Sequence, residues 1–239
     1  MRIKEEKYQN YKYIIIELNK SEDKDLLERI KQKAKEDSEK QNKKNPKGEI
    51  RTEEWIYYSN LAGVLAEEST KLYISHIINK NNLNAEVYSP EFTTHYLHRD
   101  IIVKINNRKK TIEVRSSFQT SSHLGISGIL TKYFRLLSNY TTSYKKDEPN
   151  KDFYITVLHR YNNEEIISKI EDSVEVFIIG GASKEVFDKY GIDDSEGLKQ
   201  GDACYKIIKP IISCPNDTIE VIEEILEIRK KIQGNILSY

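Results

Sequence analysis

The amino-acid sequence predicts an α/β fold in which a mixed central sheet, carrying a β-hairpin, is flanked by helices. Three observations predict it. Runs of β-branched and aromatic residues recur along the chain, amphipathic segments with helical spacing lie between them, and two strand-like segments are separated only by a short Asn-rich turn. Strands alternating with helices around one hairpin are typical of a mixed layered architecture.

The N-terminal part predicts one strand and one surface helix. Residues 11–18 (YKYIIIEL) are dominated by β-branched residues and predict a strand. Ser21 is the predicted N-cap of a helix that runs to about residue 41 and is charged nearly all round. The Asn, Pro and Gly of residues 41–49 predict a loop.

The central part predicts a long helix followed by the hairpin. Thr52 is the predicted N-cap of a helix whose apolar residues recur at helical spacing to about residue 79. A short strand over residues 85–90 follows and is stopped by its proline. The hairpin comes next, with predicted strands at residues 100–105 and 111–117 and a turn at residues 106–108.

The remaining elements alternate along the chain. They are a helix over residues 125–139, a strand over 153–159, a helix over 162–171, a strand over 174–181 and a C-terminal helix over 217–232. The two strands are almost continuously apolar, as expected where both faces of a sheet are covered. We expect one domain: an N-terminal strand and helix (1–50), a core (51–182) and a C-terminal extension packed on the core (183–239).

The composition limits the class of protein. The chain has 239 residues, of which 38% are hydrophobic and 32% charged, and its formal net charge is zero. This balance counts mildly against a nucleic-acid-binding protein, although a basic face beside an acidic metal site can also sum to zero. The only cysteines, Cys204 and Cys214, lack the partners of a zinc site. With no apolar run long enough for a membrane span, we expect a cytoplasmic protein that does not bind membranes.

Two acidic residues on the predicted hairpin are the strongest candidates for chemistry. Asp100 opens one strand, and Glu113 lies on the other with Arg115 two residues later, on the same face. Converging carboxylates suit Mg²⁺ or Mn²⁺. From this spacing alone, however, a solvated hairpin face with a cross-strand ion pair is the favoured interpretation. The preceding helix strengthens the metal hypothesis, because it carries a further acid, Glu67, four residues after Gly63.

Four segments together resemble the PD-(D/E)XK nuclease superfamily, in its restriction-endonuclease-like and Holliday-junction-resolvase-like branches. Gly63-Val-Leu-Ala-Glu67 is similar to its first-helix motif, and Val87-Tyr-Ser-Pro90 to the strand that follows. Arg99-Asp100-Ile-Ile-Val103 resembles the strand that begins with the metal-binding Asp, and Ile112-Glu113-Val-Arg115-Ser-Ser117 resembles the Ile-Glu-Val-Lys-Ser-Ser signature. The motifs cover residues 60–118, and to about residue 180 the resemblance rests on element order.

This resemblance implies a restriction-endonuclease-like core and a set of residue roles. Asp100 and Glu113 would bind the metal, Glu67 would support the site, and Arg115 would stand where the family has a lysine that positions or activates the attacking water. Arginine stays protonated and cannot act as a base, but it can orient water or stabilise developing charge. Glu68 is an alternative to Glu67 on a different helix face.

Other residues are weaker candidates for contacts with DNA. Ser116, Ser117 and Gln119 follow the signature and could bind backbone phosphates, or only form the turn before the next element. The hairpin tip of Arg108, Lys109 and Lys110 could track phosphates, although such tips are usually only solvated. His95 and His98 precede Asp100 and could touch a phosphate or a base, although packing or solvent contacts are the more common role of loop histidines.

These observations lead to a functional hypothesis with rivals. We expect a Mg²⁺-dependent DNA endonuclease, with Mn²⁺ as a possible substitute, acting as a homodimer because cutting both strands of a duplex needs two sites. A restriction-type enzyme is favoured over a resolvase because roughly a hundred residues lie beyond the minimal core. A catalytically impaired DNA-binding protein with the same fold is the second hypothesis, and an α/β protein with an accidental motif is the third.

Overall fold

A computed structural model of the chain describes residues 1–41, 43, 50–90, 100–119, 124–138, 150–193 and 205–228, with only the backbone of Asp100. These residues form strands and helices whose bounds follow in chain order. The strands are β1 (Arg2–Tyr8), β2 (Tyr11–Asn19), β3 (Ala85–Tyr88), β4 (Asp100–Ile105), β5 (Arg108–Phe118), β6 (Leu136–Leu137), β7 (Phe153–His159), β8 (Ser173–Ser183), β9 (Ile192–Asp193) and β10 (Lys206–Ile208). The helices are α1 (Lys24–Lys40), α2 (Glu53–Lys80), α3 (Ile126–Gly128), α4 (Ile166–Glu171), α5 (Lys184–Tyr190) and α6 (Thr218–Ile225).

A seven-stranded mixed sheet is the centre of the fold. Its order is β1-β2-β8-β7-β5-β4-β3, and a smaller sheet has the order β6-β10-β9. Within the large sheet only β5 and β7 run parallel, and the other neighbours are antiparallel. The predicted α/β class with a mixed sheet, a hairpin and flanking helices is therefore confirmed.

Two apolar clusters cover the two faces of the large sheet. The main cluster joins side chains of α1, α2, α4 and α6 to one face of the sheet, including Ile112 of β5 and Ile101 of β4. The second cluster covers the opposite face and includes Tyr154, Leu158 and Phe187. Every strand contributes alternate residues to the two faces, so residues of β5 that do not face α2 must face the second cluster.

Close packing explains two glycines within β8. A Cβ at Gly180 would lie 2.6 Å from Leu136 Cδ2, and one at Gly181 would lie 3.0 Å from the Tyr154 carbonyl oxygen. Larger residues at these positions would push β6 and β7 away from β8. Gly180 thus lets the second cluster pack directly against the strand, and Gly181, whose Cβ would also lie 3.2 Å from Val221 Cγ1, does the same for the main cluster.

The predicted caps and elements agree with the structure at most positions. The Trp55 N–H donates to Thr52 Oγ1 at 3.1 Å, so Thr52 is the N-cap of α2 as predicted. Ser21 as N-cap is wrong, because the chain turns once more at residues 20–23 and α1 begins after Asp23. None of the helices in the described ranges is long and apolar enough to cross a membrane.

The predicted helix over residues 125–139 is wrong. The chain forms α3, continues as one π-helical turn to Tyr133, and then enters β6. Ile129, Leu130 and Leu136 are buried in the second cluster, whereas Tyr133 of the same segment is exposed. Pairing of Leu136 and Leu137 with β10 replaces the last helical turns, and that pairing depends on residues far along the chain.

Candidate metal centre

The hairpin of β4 and β5 places the two acidic residues opposite each other. Asp100 pairs with Glu113 in the antiparallel register, followed by Ile101 with Ile112. Directly opposed residues in such a ladder share a face, with Cβ atoms about 4.5–5.5 Å apart. The register therefore sets both acidic positions on one face of the sheet, at the point where β4 begins.

Glu113 is buried although it carries a carboxylate. Glu113 is 8% exposed, and its Oε1 lies 3.4 Å from Arg115 Nη2. Its Oε2 is buried and accepts no hydrogen bond from the described residues. A buried carboxylate oxygen without a donor is unfavourable, so its presence indicates a place where a ligand could supply the missing interaction.

Glu113 and Arg115 lie on the face of β5 that is turned away from α2. Ile112 belongs to the main cluster, and Val114 packs against it. Glu113 pairs instead with Tyr154, which belongs to the second cluster. Ser117 continues this face and is exposed, so the side chains run from the interior toward solvent along the strand.

Glu67 approaches the same end of the sheet from the other face. It is 1% exposed on α2, accepts a hydrogen bond from Ser89 Oγ, and lies 3.4 Å from Lys33 Nζ through the same oxygen. Its Oε2 is buried without a hydrogen-bond partner among the described residues. Ser89 directly follows Tyr88, which pairs with Ile102, so it lies level with the start of β4.

The structure thus brings some of the predicted site residues together and leaves others apart. Asp100 and Glu113 are register partners, and Glu113 contacts Arg115. No hydrogen bond or ion pair joins Glu67 to Glu113 within the described part of the chain. The alternative acid, Glu68, is bound by Lys71 at 2.7 Å and lies 3.7 Å from Lys33.

The available donors fit a hard divalent cation. Carboxylate oxygens are the ligands that Mg²⁺ and Mn²⁺ prefer. The buried Glu113 Oε2, which has no donor among the described residues, leaves acceptor capacity for such an ion, and Glu67 has a similar oxygen on the opposite face of the sheet. The described side chains, which do not include that of Asp100, contain no group of three His, Cys, Asp or Glu residues that could hold a metal ion. Asp100 and Glu113 are therefore the residues on which a metal site would depend.

The contacts around Glu67 could not be predicted from the sequence. Lys33 belongs to a helix that is charged nearly all round, and nothing in the local pattern distinguishes it from its neighbours. Ser89 was part of a strand motif without a role of its own. Both are identified only by packing of α1 and the end of β3 against α2.

Gln119 has a structural role at the end of β5. It is buried, its N–H donates to the His159 carbonyl oxygen at 2.8 Å, and its Nε2 donates to the Leu124 carbonyl oxygen at 2.9 Å. The Arg160 Nε donates to its Oε1 at 3.2 Å. Of the two serines, Ser116 is half-buried and Ser117 is exposed on the face of Glu113. The exposed hydroxyl of Ser117 is the one of the three best placed for a phosphate.

The three basic residues of the hairpin tip differ in their surroundings: Lys110 contacts α6, whereas Arg108 and Lys109 are exposed to solvent. Lys110 Nζ donates to the carbonyl oxygens of Glu224 and Ile225 at 3.0 and 2.9 Å, and it pairs with Glu227 at 3.2 Å. Arg108 lies 3.7 Å from Glu227, and Lys109 is exposed. Lys110 therefore satisfies the last carbonyl groups of a helix. The predicted residues His95 and His98 lie outside the described residues.

We expect Lys110→Met to destabilise the protein by about 1–3 kcal/mol, because two carbonyl groups lose a charged donor. The exposed neighbour Lys109, changed to Met, is the matched control and should leave the free energy of unfolding nearly unchanged. Urea unfolding of the three proteins at neutral pH measures this difference. Equal midpoints for Lys110→Met and wild type would show that the contact with α6 contributes no stability.

His159 is completely buried between β5 and α2. Its Nε2 lies 3.1 Å from the Ala62 carbonyl oxygen, to which it donates, and the Tyr161 hydroxyl is 3.2 Å from its Nδ1. Burial lowers the pKa of His159 from 6.5 to about 4. The neutral ring is thus part of the packing that holds the end of β7 against α2.

This buried histidine predicts a loss of stability in acid. Because the folded-state pKa lies below the unfolded value, stability is full above pH 6.5 and falls as the pH drops toward 4. The loss should reach roughly 3 kcal/mol at its limit. His159→Gln keeps an amide donor but does not titrate, so its unfolding free energy should vary less between pH 7 and pH 5. Parallel curves for the two proteins would contradict the assignment.

Comparison with known proteins gives one relative over most of the chain. No protein-family profile and no solved structure matches this chain. The chain is 32% identical over 240 aligned positions to "Uncharacterized protein MJECS01" of Methanocaldococcus jannaschii, and the alignment covers 88% of this chain and 84% of that protein. The chain belongs to the same family as this archaeal protein. The alignment covers much more of the chain than residues 60–118, and the name of that archaeal protein states no activity.

Proposed function

We propose that this protein is a divalent-metal-dependent DNA endonuclease of restriction type, with a restriction-endonuclease-like core. The observation that carries the proposal is the register pairing of Asp100 with Glu113, whose buried Oε2 has no hydrogen-bond donor among the described residues. A buried, incompletely satisfied carboxylate opposite a second acid is the arrangement that a hard cation would complete.

The surrounding elements support this proposal. The long helix α2 precedes the hairpin and carries Glu67 at the level of the start of β4. Strand β7 lies parallel beside the strand that carries Glu113, and β8 follows it in the sheet. The helix, the hairpin and the parallel strand β7 agree with the order of elements on which the resemblance to PD-(D/E)XK nucleases rests, whereas a three-residue helix, a π-helical turn and β6 stand where a longer helix was predicted between the hairpin and β7.

Four residues of the chain would have distinct roles in phosphodiester hydrolysis. Asp100 and Glu113 would hold Mg²⁺, with Glu67 as a further carboxylate at the same end of the sheet. When bound, the ion lowers the pKa of its water and neutralises charge on the phosphoryl group. Arg115, held beside Glu113, stays protonated and would donate hydrogen bonds to the attacking water or to a phosphoryl oxygen.

DNA binding would depend on a local surface, because the chain has no net positive charge. The exposed Ser117 lies on the same face as Glu113 and could contact a backbone phosphate. Arg108 and Lys109 at the exposed hairpin tip could add electrostatic attraction. A homodimer would supply the two sites that cleavage of both strands requires.

A second candidate function rests on Arg115. Arginine cannot lose its proton at neutral pH, so the site lacks the amine found at this position in the nucleases that the motifs resemble. If cleavage requires proton transfer from that position, this protein would bind DNA without cutting it. A Holliday-junction-resolvase-like nuclease remains a variant of the first proposal, with a different DNA structure as substrate.

Incubation with supercoiled plasmid tests the proposal. We expect conversion to open-circular or linear DNA with Mg²⁺ or Mn²⁺ and no conversion with EDTA. A parallel binding series in Ca²⁺ should show that log affinity falls with log salt concentration, in proportion to the phosphates contacted. Binding without cleavage would favour the second candidate, and absence of both at low salt would refute the proposal.

A further inference from the structure

A lysine of α1 lies between two neighbouring carboxylates of α2. Lys33 follows Ile30 by one helical turn and precedes Ala34, and both of these neighbours are buried in the main cluster. Its Nζ lies 3.4 Å from Glu67 Oε1 and 3.7 Å from Glu68 Oε1. The packing of the two helices therefore holds one ammonium group against both acidic side chains.

The contact with Glu67 differs from the other ion pairs of α1 in the burial of its carboxylate. The Glu67 side chain is 2% exposed, whereas that of Glu171, which pairs with Lys31, is 41% exposed. A carboxylate removed from water is unstable unless positive charge or hydrogen-bond donors replace the water. Within the described ranges no ammonium or guanidinium group other than Lys33 pairs with Glu67, and the Ser89 hydroxyl donates a hydrogen bond to the same oxygen.

The charges around Glu67 balance without a metal ion. Glu67 and Glu68 provide two carboxylates, and Lys33 and Lys71 provide two ammonium groups. Lys71 Nζ lies 2.7 Å from Glu68 Oε1, so Lys33 is the positive group that serves Glu67. A divalent ion added here would meet no net negative charge and would have to displace the Lys33 ammonium.

We propose that the Lys33 ammonium takes the place of a metal ion at Glu67. The chain then binds one divalent ion, at Asp100 and Glu113, and Glu67 is not one of its ligands. Without this lysine, both Glu67 oxygens, the adjacent carboxylate and the Ser89 hydroxyl would be oxygen ligands for a hard cation. The inference rests on the proposed function only for the ion at the hairpin.

Titration with Mn²⁺ in the absence of DNA, followed by the electron paramagnetic resonance signal of the free ion, counts the ions per chain. We expect one ion for the wild type and one for Glu67→Gln, because Glu67 already has its cation. Lys33→Met should bind one ion more than the wild type, since two carboxylates then share a single ammonium group. The double variant Lys33→Met/Glu67→Gln should return to the wild-type number.

Thermal unfolding gives a second measurement of the same contact. In EDTA, Lys33→Met should lower the Tm by about 5–10 °C, because a buried carboxylate loses its charged partner. The double variant should be more stable than Lys33→Met in EDTA, and saturating Mn²⁺ should raise the Tm of Lys33→Met by more than that of the wild type. Lys35→Met is the matched control, because Lys35 is exposed on the same helix, and it should change neither the Tm nor the ion number.

Loss of an ion in Glu67→Gln, or an unchanged ion number in Lys33→Met, would overturn the inference. Equal Mn²⁺-induced Tm shifts for Lys33→Met and the wild type would also overturn it. The proposed function fails in a different way. If the wild type binds no ion and Lys33→Met binds one, the metal centre at Asp100 and Glu113 is wrong, and the role of Lys33 stands.

Discussion

Glu113→Gln and Asp100→Asn should each lower plasmid cleavage by on the order of 10³-fold or more, because each removes a charged oxygen ligand from the proposed Mg²⁺ site. The amide keeps the shape of the side chain, so the change is limited to charge and to metal affinity. Cleavage rates on one supercoiled plasmid, measured at saturating Mg²⁺, give the comparison. The effect should be partly reversed by a large excess of Mn²⁺ if weakened metal binding is the cause.

Glu86→Gln is the control for this result. Glu86 is an exposed carboxylate on strand β3, where it pairs with Lys104, so the same chemical change there removes a charge four residues along β4 from the level of Asp100. Its cleavage rate and its unfolding midpoint should both match wild type. Cleavage by Glu113→Gln at the wild-type rate would show that Glu113 is not a metal ligand.

Arg115 should be nearly as important for the rate. Its guanidinium lies beside Glu113 with little exposure, so it can present a fixed positive charge to a phosphoryl group. Arg115→Ala should cost on the order of 10²–10³-fold, as for other preorganised donors to a transition state. Arg115→Lys should keep much of the activity or raise it, because lysine supplies a compact charge that can also share a proton.

The binding-only hypothesis predicts the reverse pattern for the same three proteins. Wild type would be inert, Arg115→Ala would change nothing, and Arg115→Lys alone would gain weak cleavage. DNA affinity in Ca²⁺ serves as the control, since all three proteins should bind similarly if Arg115 acts mainly in the chemical step. Equal cleavage by wild type and Arg115→Ala would remove Arg115 from the reaction.

Strands were predictable where residue preference and burial agree. The segments at residues 11–18, 153–159 and 174–181 are rich in β-branched and aromatic residues, and all three are central strands of the large sheet. The hairpin was predictable because Asn106 and Asn107 suit a tight turn, and both have positive φ angles of 49° and 60°. Local chemistry was sufficient for these elements.

Strand β1 shows where local chemistry fails. Its sequence, RIKEEKY, has few strand-forming residues and is mostly exposed, as is common for an edge strand protected by charges. It is a strand because β2 offers a complete antiparallel partner from Tyr11 to Glu17. The same dependence on a distant partner ended the predicted helix at Tyr133 and produced the small sheet.

The candidate site was predictable in part for the same reason. The opposition of Asp100 and Glu113 follows from the length of the turn between two recognisable strands. The burial of Glu113 and Glu67 and the engagement of Lys110 by α6 depend on packing between elements far apart in the chain. No spacing pattern contains that information.

Binding of Mn²⁺, followed by its electron paramagnetic resonance signal, tests most directly whether Asp100 and Glu113 form a metal site. The signal of free Mn²⁺ decreases on binding, so the measurement needs neither DNA nor turnover. We expect saturable uptake by the wild-type chain, competition by Mg²⁺, and loss of uptake in the double variant Asp100→Asn/Glu113→Gln, with Glu86→Gln unchanged. Equal uptake by the wild type and the double variant, or no uptake by the wild type, would contradict the metal centre proposed for this protein.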